Sequence, residues 1–144
     1  MFRSFVATAV LALVLTAATQ AQISIVVGTG SPHTAAAGDL AKIFGAAKFT
    51  WENGRKIVVA EPGSAAVAKA FYESFLGKTV SQVRNDWTKI VLSGEGTGPK
   101  KCADLAAFKK ALADDPDAIG FIPTASIDPS VKEVYRIMAF IKAE

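Results

Sequence analysis

The stretch Ile57–Leu76, IVVAEPGSAAVAKAFYESFL, constrains the possible folds of this chain more than any other. Three β-branched residues, Ile57, Val58 and Val59, lead into Pro62-Gly63-Ser64, and apolar residues then recur four apart at Val67, Phe71 and Phe75. That order spells a strand, a tight turn and a helix. A helix begun by Ser64 leaves its first backbone N–H groups without intrahelical partners, and its aligned peptide dipoles put partial positive charge there. The turn Gly63-Ser64-Ala65 is therefore either a plain serine cap opening an α/β crossover or an anion site made of one hydroxyl and free amides.

Upstream, Met1–Ala21 carries a single basic residue, Arg3, an apolar run from Phe5 to Leu15 and a small-residue end at Thr19-Gln20-Ala21. This is the pattern of a secretory signal peptide. The apolar run falls short of the roughly 20 residues that a membrane span requires. Cleavage after Ala21 leaves residues 22–144, enough for one domain with a real core and too few for two. The whole chain has a formal charge of only +3, and losing Arg3 lowers it further. So small an excess does not suit nucleic acid or an acidic membrane surface. One cysteine, Cys102, leaves no internal disulfide, so the fold must rest on its core. With one histidine, His33, far from it in sequence, neither a Cys–His nucleophile nor a zinc site of the usual kind can be assembled. No catalytic residue, metal or cofactor is expected.

The remaining elements follow from the same cues. Ile23–Val27 is a strand ending in Gly28-Thr29-Gly30-Ser31-Pro32. That loop is not a dinucleotide fingerprint, since its third glycine would fall on His33, and no phosphate-loop lysine follows; Thr29 and Ser31 remain as hydroxyl donors. Gly38-Asp39 opens a short helix, Leu40–Gly45, and Asn53-Gly54 marks a turn. Gly77 suits a helix end, and Thr79 with Gln82 forms a capping-box pattern. Val83, Trp87, Ile90 and Val91 share the buried face of the next helix, with Trp87 in the core. A glycine-rich loop, Ser93–Pro99, precedes Lys100 and Lys101, a solvated basic edge. Asp104 caps a helix carrying Leu105, Phe108 and Leu112. Ala118–Ile122 reads as a buried strand in which Gly120 marks a close approach of another backbone or a ligand. Val131–Ile141 reads as a final strand, although its pattern alone also fits a helix. Phe71, Phe75, Val83, Trp87, Phe108 and Ile119 are expected to share one core. Strands alternating with helices predict an α/β domain, its sheet mixed but mostly parallel and covered on both faces.

Several segments, taken in order and spacing, carry a family resemblance. They are Leu40–Trp51 (LAKIFGAAKFTW) followed by Asn53-Gly54, Phe71 with Leu76-Gly77-Lys78, Trp87, Ser93-Gly94 with Pro99, and Ala118–Phe121. Together they resemble the phosphate-binding components of ABC importers, proteins of the type II periplasmic binding protein fold. Within that fold the chain is similar to small exported members that look like one lobe. Where phosphate binders of the family carry R-x-D-G-S-G-T, this chain reads Ala60–Ala66, with Gly63 and Ser64 matching. Ala60 stands at the arginine position and Ala66 at the threonine position, so the bidentate guanidinium contact suited to an oxyanion is missing there.

The resemblance implies a single three-layer lobe spanning residues 22–144 and a periplasmic location. It implies a weakly held oxyanion such as phosphate at Gly63, Ser64 and Ala65. Thr29 and Ser31 would join them if the first strand lies beside the second, and Glu61 beside the turn would repel the anion. The implied partner is the membrane component of an ABC transporter or another periplasmic protein. An accessory subunit that docks on a transporter or sensor without binding a free ion is the alternative, because binding proteins of this kind close two lobes on a ligand and this length supplies one. Mass spectrometry of an exported fraction should find a chain beginning at Gln22; an intact Met1 retained in membranes would overturn the signal-peptide reading.

Overall fold

The computed structural model describes residues 19–141. The expected signal segment lies outside them except for Thr19-Gln20-Ala21. Five strands form one sheet: β1 (Thr19–Gly28), β2 (Val58–Glu61), β3 (Lys100–Lys101), β4 (Ala118–Pro123) and β5 (Val131–Ile141). Their spatial order is β3-β2-β4-β1-β5. β2 lies parallel to both β3 and β4, whereas β1 runs antiparallel to β4 and β5. The sheet is thus mixed, as expected, but it is not mostly parallel: its antiparallel pairing is the more extensive, because the two longest strands, β1 and β5, lie side by side. A cut after Ala21 falls within β1 and leaves the pairing from Gln22 opposite Met138 onward in place.

Strict alternation sorts the strand residues between two cores. Ile23, Ile25, Val27, Val59, Ile119 and Phe121 face one side, while Val26, Ala60, Ala118 and Ile122 face the other. The first side is covered by α1 (Ala37–Phe44), α2 (Ala65–Phe71) and α3 (Val80–Ser93), the second by α4 (Leu105–Asp114). This is the three-layer arrangement expected. The six residues placed in one core divide, however. Phe71, Phe75, Val83, Trp87 and Ile119 pack on the first side, but Phe108 packs on the second, because α4 crosses back over the opposite face. Gly120 marks the close approach that its strand position suggested. A Cβ there would lie 2.3 Å from the Phe108 ring and 2.6 Å from the Ala60 carbonyl oxygen.

Local signals account for most element ends. The Ser64 hydroxyl accepts from the Val67 N–H at 3.3 Å, the Asp104 carboxylate from the Ala107 N–H at 2.8 Å, and Thr79 and Gln82 complete their reciprocal box. Gly77, at φ 65°, ends a π-helical turn, Tyr72–Leu76, that continues α2. Two expectations fail. α1 starts at Ala37, earlier than expected, with Ala36 as an N-cap that makes no side-chain bond, and Asp39 lies inside its first turn, where a negative charge suits the dipole. Val91 is 46% exposed. It lies one 100° step round the helix from half-buried Ile90, at the margin of the face that Val83 and Trp87 occupy.

Trp87 is anchored from two sides, its indole N–H donating to the Phe44 carbonyl at 3.2 Å and its ring meeting Phe49 edge-on at 6.1 Å. A tryptophan that is 6% exposed in this setting is a core residue rather than a ligand platform. Trp87→Ala should destabilise by about 3–5 kcal/mol in chemical denaturation; a loss below about 1 kcal/mol would contradict this packing.

Candidate functional site

The crossovers leaving β2 and β3 go to opposite faces of the sheet, α2 to one and α4 to the other. Between the carboxyl ends of two such strands the backbone diverges, and open α/β sheets bind ligands in the crevice this creates. Two adjoining clefts open here. One, of about 610 Å³, is walled by Glu61, Ser64, Lys69, Arg84, Lys101 and Cys102. The other, of about 500 Å³, is walled by Val67, Asp104, Leu105 and Pro123. Both share Pro62, Gly63, Ser64 and Ala103. The turn sits tightly against the loop after β3, since a Cβ on Gly63 would lie 2.3 Å from the Ala103 carbonyl oxygen. Only glycine permits that approach.

The charge on the cleft floor differs from the expectation. Alternation along β2 turns Glu61 to the same side as Val59, beneath the helices, where it is 1% exposed. Arg84 of α3 reaches it with two parallel bonds, Nη1 to Oε1 at 2.5 Å and Nη2 to Oε2 at 2.9 Å. Glu61 is therefore neutralised by its own fork-to-fork partner and does not stand beside the turn as a free repelling charge. The bond to Glu61 raises the already high pKa of the guanidinium. Lys69 and Lys101 are exposed at the rim, so the first cleft carries three cationic side chains against one carboxylate.

Beneath the pair lies Tyr72, fully buried, with the Arg84 guanidinium carbon 6.0 Å from its ring centroid. Its hydroxyl has no hydrogen-bond partner. Burial first, and Glu61 second, push its ionisation far up. Burial also pushes up the Cys102 thiol, the opposite of the shift that activates a nucleophilic cysteine. Arg84 and Tyr72 escaped the sequence reading. The signal was present, because a strand that places Glu61 two residues after buried Val59 obliges the covering helices to supply a cation.

Of the predicted site residues, Gly63, Ser64 and Ala65 come together at the first cleft. Thr29 and Ser31 do not join them. β4 separates β1 from β2, and β1 runs antiparallel to it, so the loop after Gly28 emerges at the opposite pole of the sheet. There the Thr29 hydroxyl donates to the Pro129 carbonyl at 2.9 Å and the Ser31 hydroxyl to the Pro116 carbonyl at 2.8 Å. That pole holds a buried clamp of its own. Asp117 Oδ1 lies 2.9 Å from His33 Nε2, Oδ2 accepts from Arg55 Nε at 2.6 Å, and the Asp117 carbonyl accepts from the Trp51 indole at 3.0 Å. His33 and Trp51 stack at 4.1 Å.

No protein-family model and no curated protein matches the chain. Solved structures do. The chain aligns over 83% of its length with an ABC-type phosphate transport receptor from Vibrio cholerae, at 18% identity and a TM-score of 0.60. It aligns over 79% with a protein from Clostridium perfringens described as a phosphate ABC transporter substrate-binding protein with bound phosphate, at 19% identity and 0.57. It aligns over 80% with PstS from Borrelia burgdorferi, at 17% identity and 0.55. The chain has the fold of phosphate-transport substrate-binding proteins. It spans about half the length of each, covering 56%, 45% and 47% of those chains. These neighbours are binding proteins rather than enzymes.

The clamp at the far pole carries a pH signature. The His33 hydrogen bond, opposed by burial and helped by Arg55, lowers the Asp117 carboxyl below its ordinary range. A depressed carboxylate stabilises the fold fully above its unfolded pKa, about 4, and that contribution disappears as pH falls through the lower folded value. Urea midpoints should show Asp117→Asn well below wild type at neutral pH, with the gap closing as pH falls below about 4. A gap independent of pH would show that the ionised carboxylate does not hold the clamp.

Proposed function

We propose that this is an exported binding protein that holds a small oxyanion, phosphate being the leading candidate, in the cleft beside Pro62–Ser64. The observation that carries this reading is Arg84. A guanidinium on a neighbouring helix supplies the bidentate donor that the turn itself lacks at Ala60. Ser64 adds a hydroxyl whose oxygen is taken by the Val67 N–H and whose proton is free to point into the cleft. Lys69 and Lys101 raise the local anion concentration from the rim. The fold shared with phosphate transport receptors supports the same ligand class and supports work beside an ABC transporter. No described helix is long and apolar enough to cross a membrane.

The open cleft favours a second element in this reading, a surface that closes over it. An open cleft leaves its anion in contact with water, where charge-assisted bonds are weak, and a partner that covers Arg84 and Ser64 would strengthen them. In its extreme form the partner is the ligand, and the protein is an accessory subunit that docks through this cleft on a transporter or sensor.

Calorimetric titration of phosphate and sulfate into wild type, Ser64→Ala and the paired variant Glu61→Gln/Arg84→Gln separates these possibilities. The paired variant removes both charges without stranding either. Wild type should bind in the millimolar to micromolar range, as expected of a few hydrogen bonds in an open site. Ser64→Ala should weaken binding several-fold and the paired variant about tenfold or more. Wild type and both variants equally indifferent to anions would overturn the oxyanion reading and leave the docking subunit.

A further inference from the structure

Tyr72 presents an anomaly that the anion reading alone does not absorb. Buried hydroxyls are nearly always hydrogen-bonded, because leaving one unpaired is costly. Among the described residues the Tyr72 hydroxyl is the only buried side-chain polar atom without a partner. Its ring cannot turn away to find one. It packs edge-on against Phe71 at 5.4 Å and against Phe121 at 5.6 Å, inside the core beneath α2 and α3. The π-helical turn that begins at Tyr72 fixes its backbone in the same place. An idle phenol is thus held rigidly next to the buried carboxylate and guanidinium of Glu61 and Arg84.

The chemistry of that pair gives the phenol a purpose. Glu61 is acceptor-only and almost wholly inaccessible, and Arg84 fills both of its oxygens. Those bonds use one N–H of each Nη, so for Arg84 to present that same end-on fork to an anion, rather than its remaining N–H donors, it must give up one or both of them. A carboxylate stranded in the interior would make that move prohibitively costly. A nearby donor in reserve removes most of the difficulty.

We propose that Tyr72 is the reserve donor for Glu61: when Arg84 turns outward to an oxyanion in the cleft, the Tyr72 hydroxyl donates to the Glu61 carboxylate and holds it. The exchange asks for movement of the Tyr72 hydroxyl proton and of the ends of the Glu61 and Arg84 side chains. The Arg84 guanidinium that holds Glu61 lies 6.0 Å from the Tyr72 ring centroid, which places the phenol beside the pair. Tyr72 touches no ligand in this scheme and is a positioning residue. The idea rests on the anion reading for its second half and stands on Glu61 alone for its first.

Two measurements test the halves separately. The first is a thermal double-mutant cycle of Tyr72→Phe and Arg84→Met without added anion. Tyr72→Phe alone should shift the melting temperature by less than about 2 °C, since it deletes an unpaired group. In the Arg84→Met background the same change should cost at least about 4 °C more, because Glu61 then loses its only remaining donor. Equal small shifts in both backgrounds would overturn the reserve role. The second is calorimetric titration of inorganic phosphate into wild type and Tyr72→Phe. Affinity should fall about fivefold to tenfold in Tyr72→Phe, which remains folded. Unchanged affinity in a wild type that does bind would overturn the exchange. A non-additive cycle together with a wild type that binds no phosphate would uphold the reserve donor and remove the anion from the scheme.

Discussion

A carboxylate on the inward face of a buried strand governs this molecule more than any other group. Glu61 ends β2 on the side covered by helices, so the chain must either neutralise it or leave it protonated. It neutralises it with Arg84, whose helix lies over that face because Val83 and Trp87 bury there. The pair ties the strand carrying the Pro62–Ser64 turn to the helix that walls the cleft, so the geometry of the site and the packing of the core share one interaction. Removing one partner from such a pair typically costs about 3–5 kcal/mol, whereas replacing both with matched neutral groups costs far less.

The cleft position follows from topology before any side chain is considered. β2 sends its chain to one face and β3 sends its chain to the other, which opens a crevice at their carboxyl ends in any sheet so connected. What the side chains add is closeness and charge. Gly63 lets the turn press on the Ala103 carbonyl, and the cations of α2, α3 and β3 converge from three elements. The opposite pole has the loops after β1 and before β4, and there the polar groups are spent on one another in the Asp117 clamp. The same sheet therefore has one end where the ion network is internally matched and one end open on an unequal one.

Much of this was legible in the residues. Ser64, Thr79 with Gln82, Asp104 and Gly77 announced their caps because a cap depends on a few neighbouring residues. The α/β class was legible from the alternation of periods, and Gly63-Ser64-Ala65 from its turn chemistry. What failed depended on strand order and on crossover side, which no local pattern encodes. Thr29 and Ser31 reach the site only if β1 borders β2, but β4 lies between them. The spacing that predicts a core place for Phe108 is that of any amphipathic helix, and periodicity does not say which face of the sheet a helix covers. Glu61 calls for a cation but does not say which one, because Arg84 lies 23 residues away and meets it only when α3 folds over β2.

The balance of forces at Arg84 also limits what the cleft can do alone. An oxyanion that took the end-on fork of Arg84 would compete with Glu61 for it, so the gross gain from that bidentate contact would be offset by the bond it displaces. Sites that hold anions tightly avoid this competition by devoting their donors to the ligand and by excluding water around it. Here the fork is already engaged and the cleft is open. On the proposed reading, capture is weak and gains strength when another surface covers the cleft, so occupancy of Arg84 would depend on that second surface. Binding of the anion and docking of the partner then become one linked equilibrium, in which each strengthens the other by the same factor.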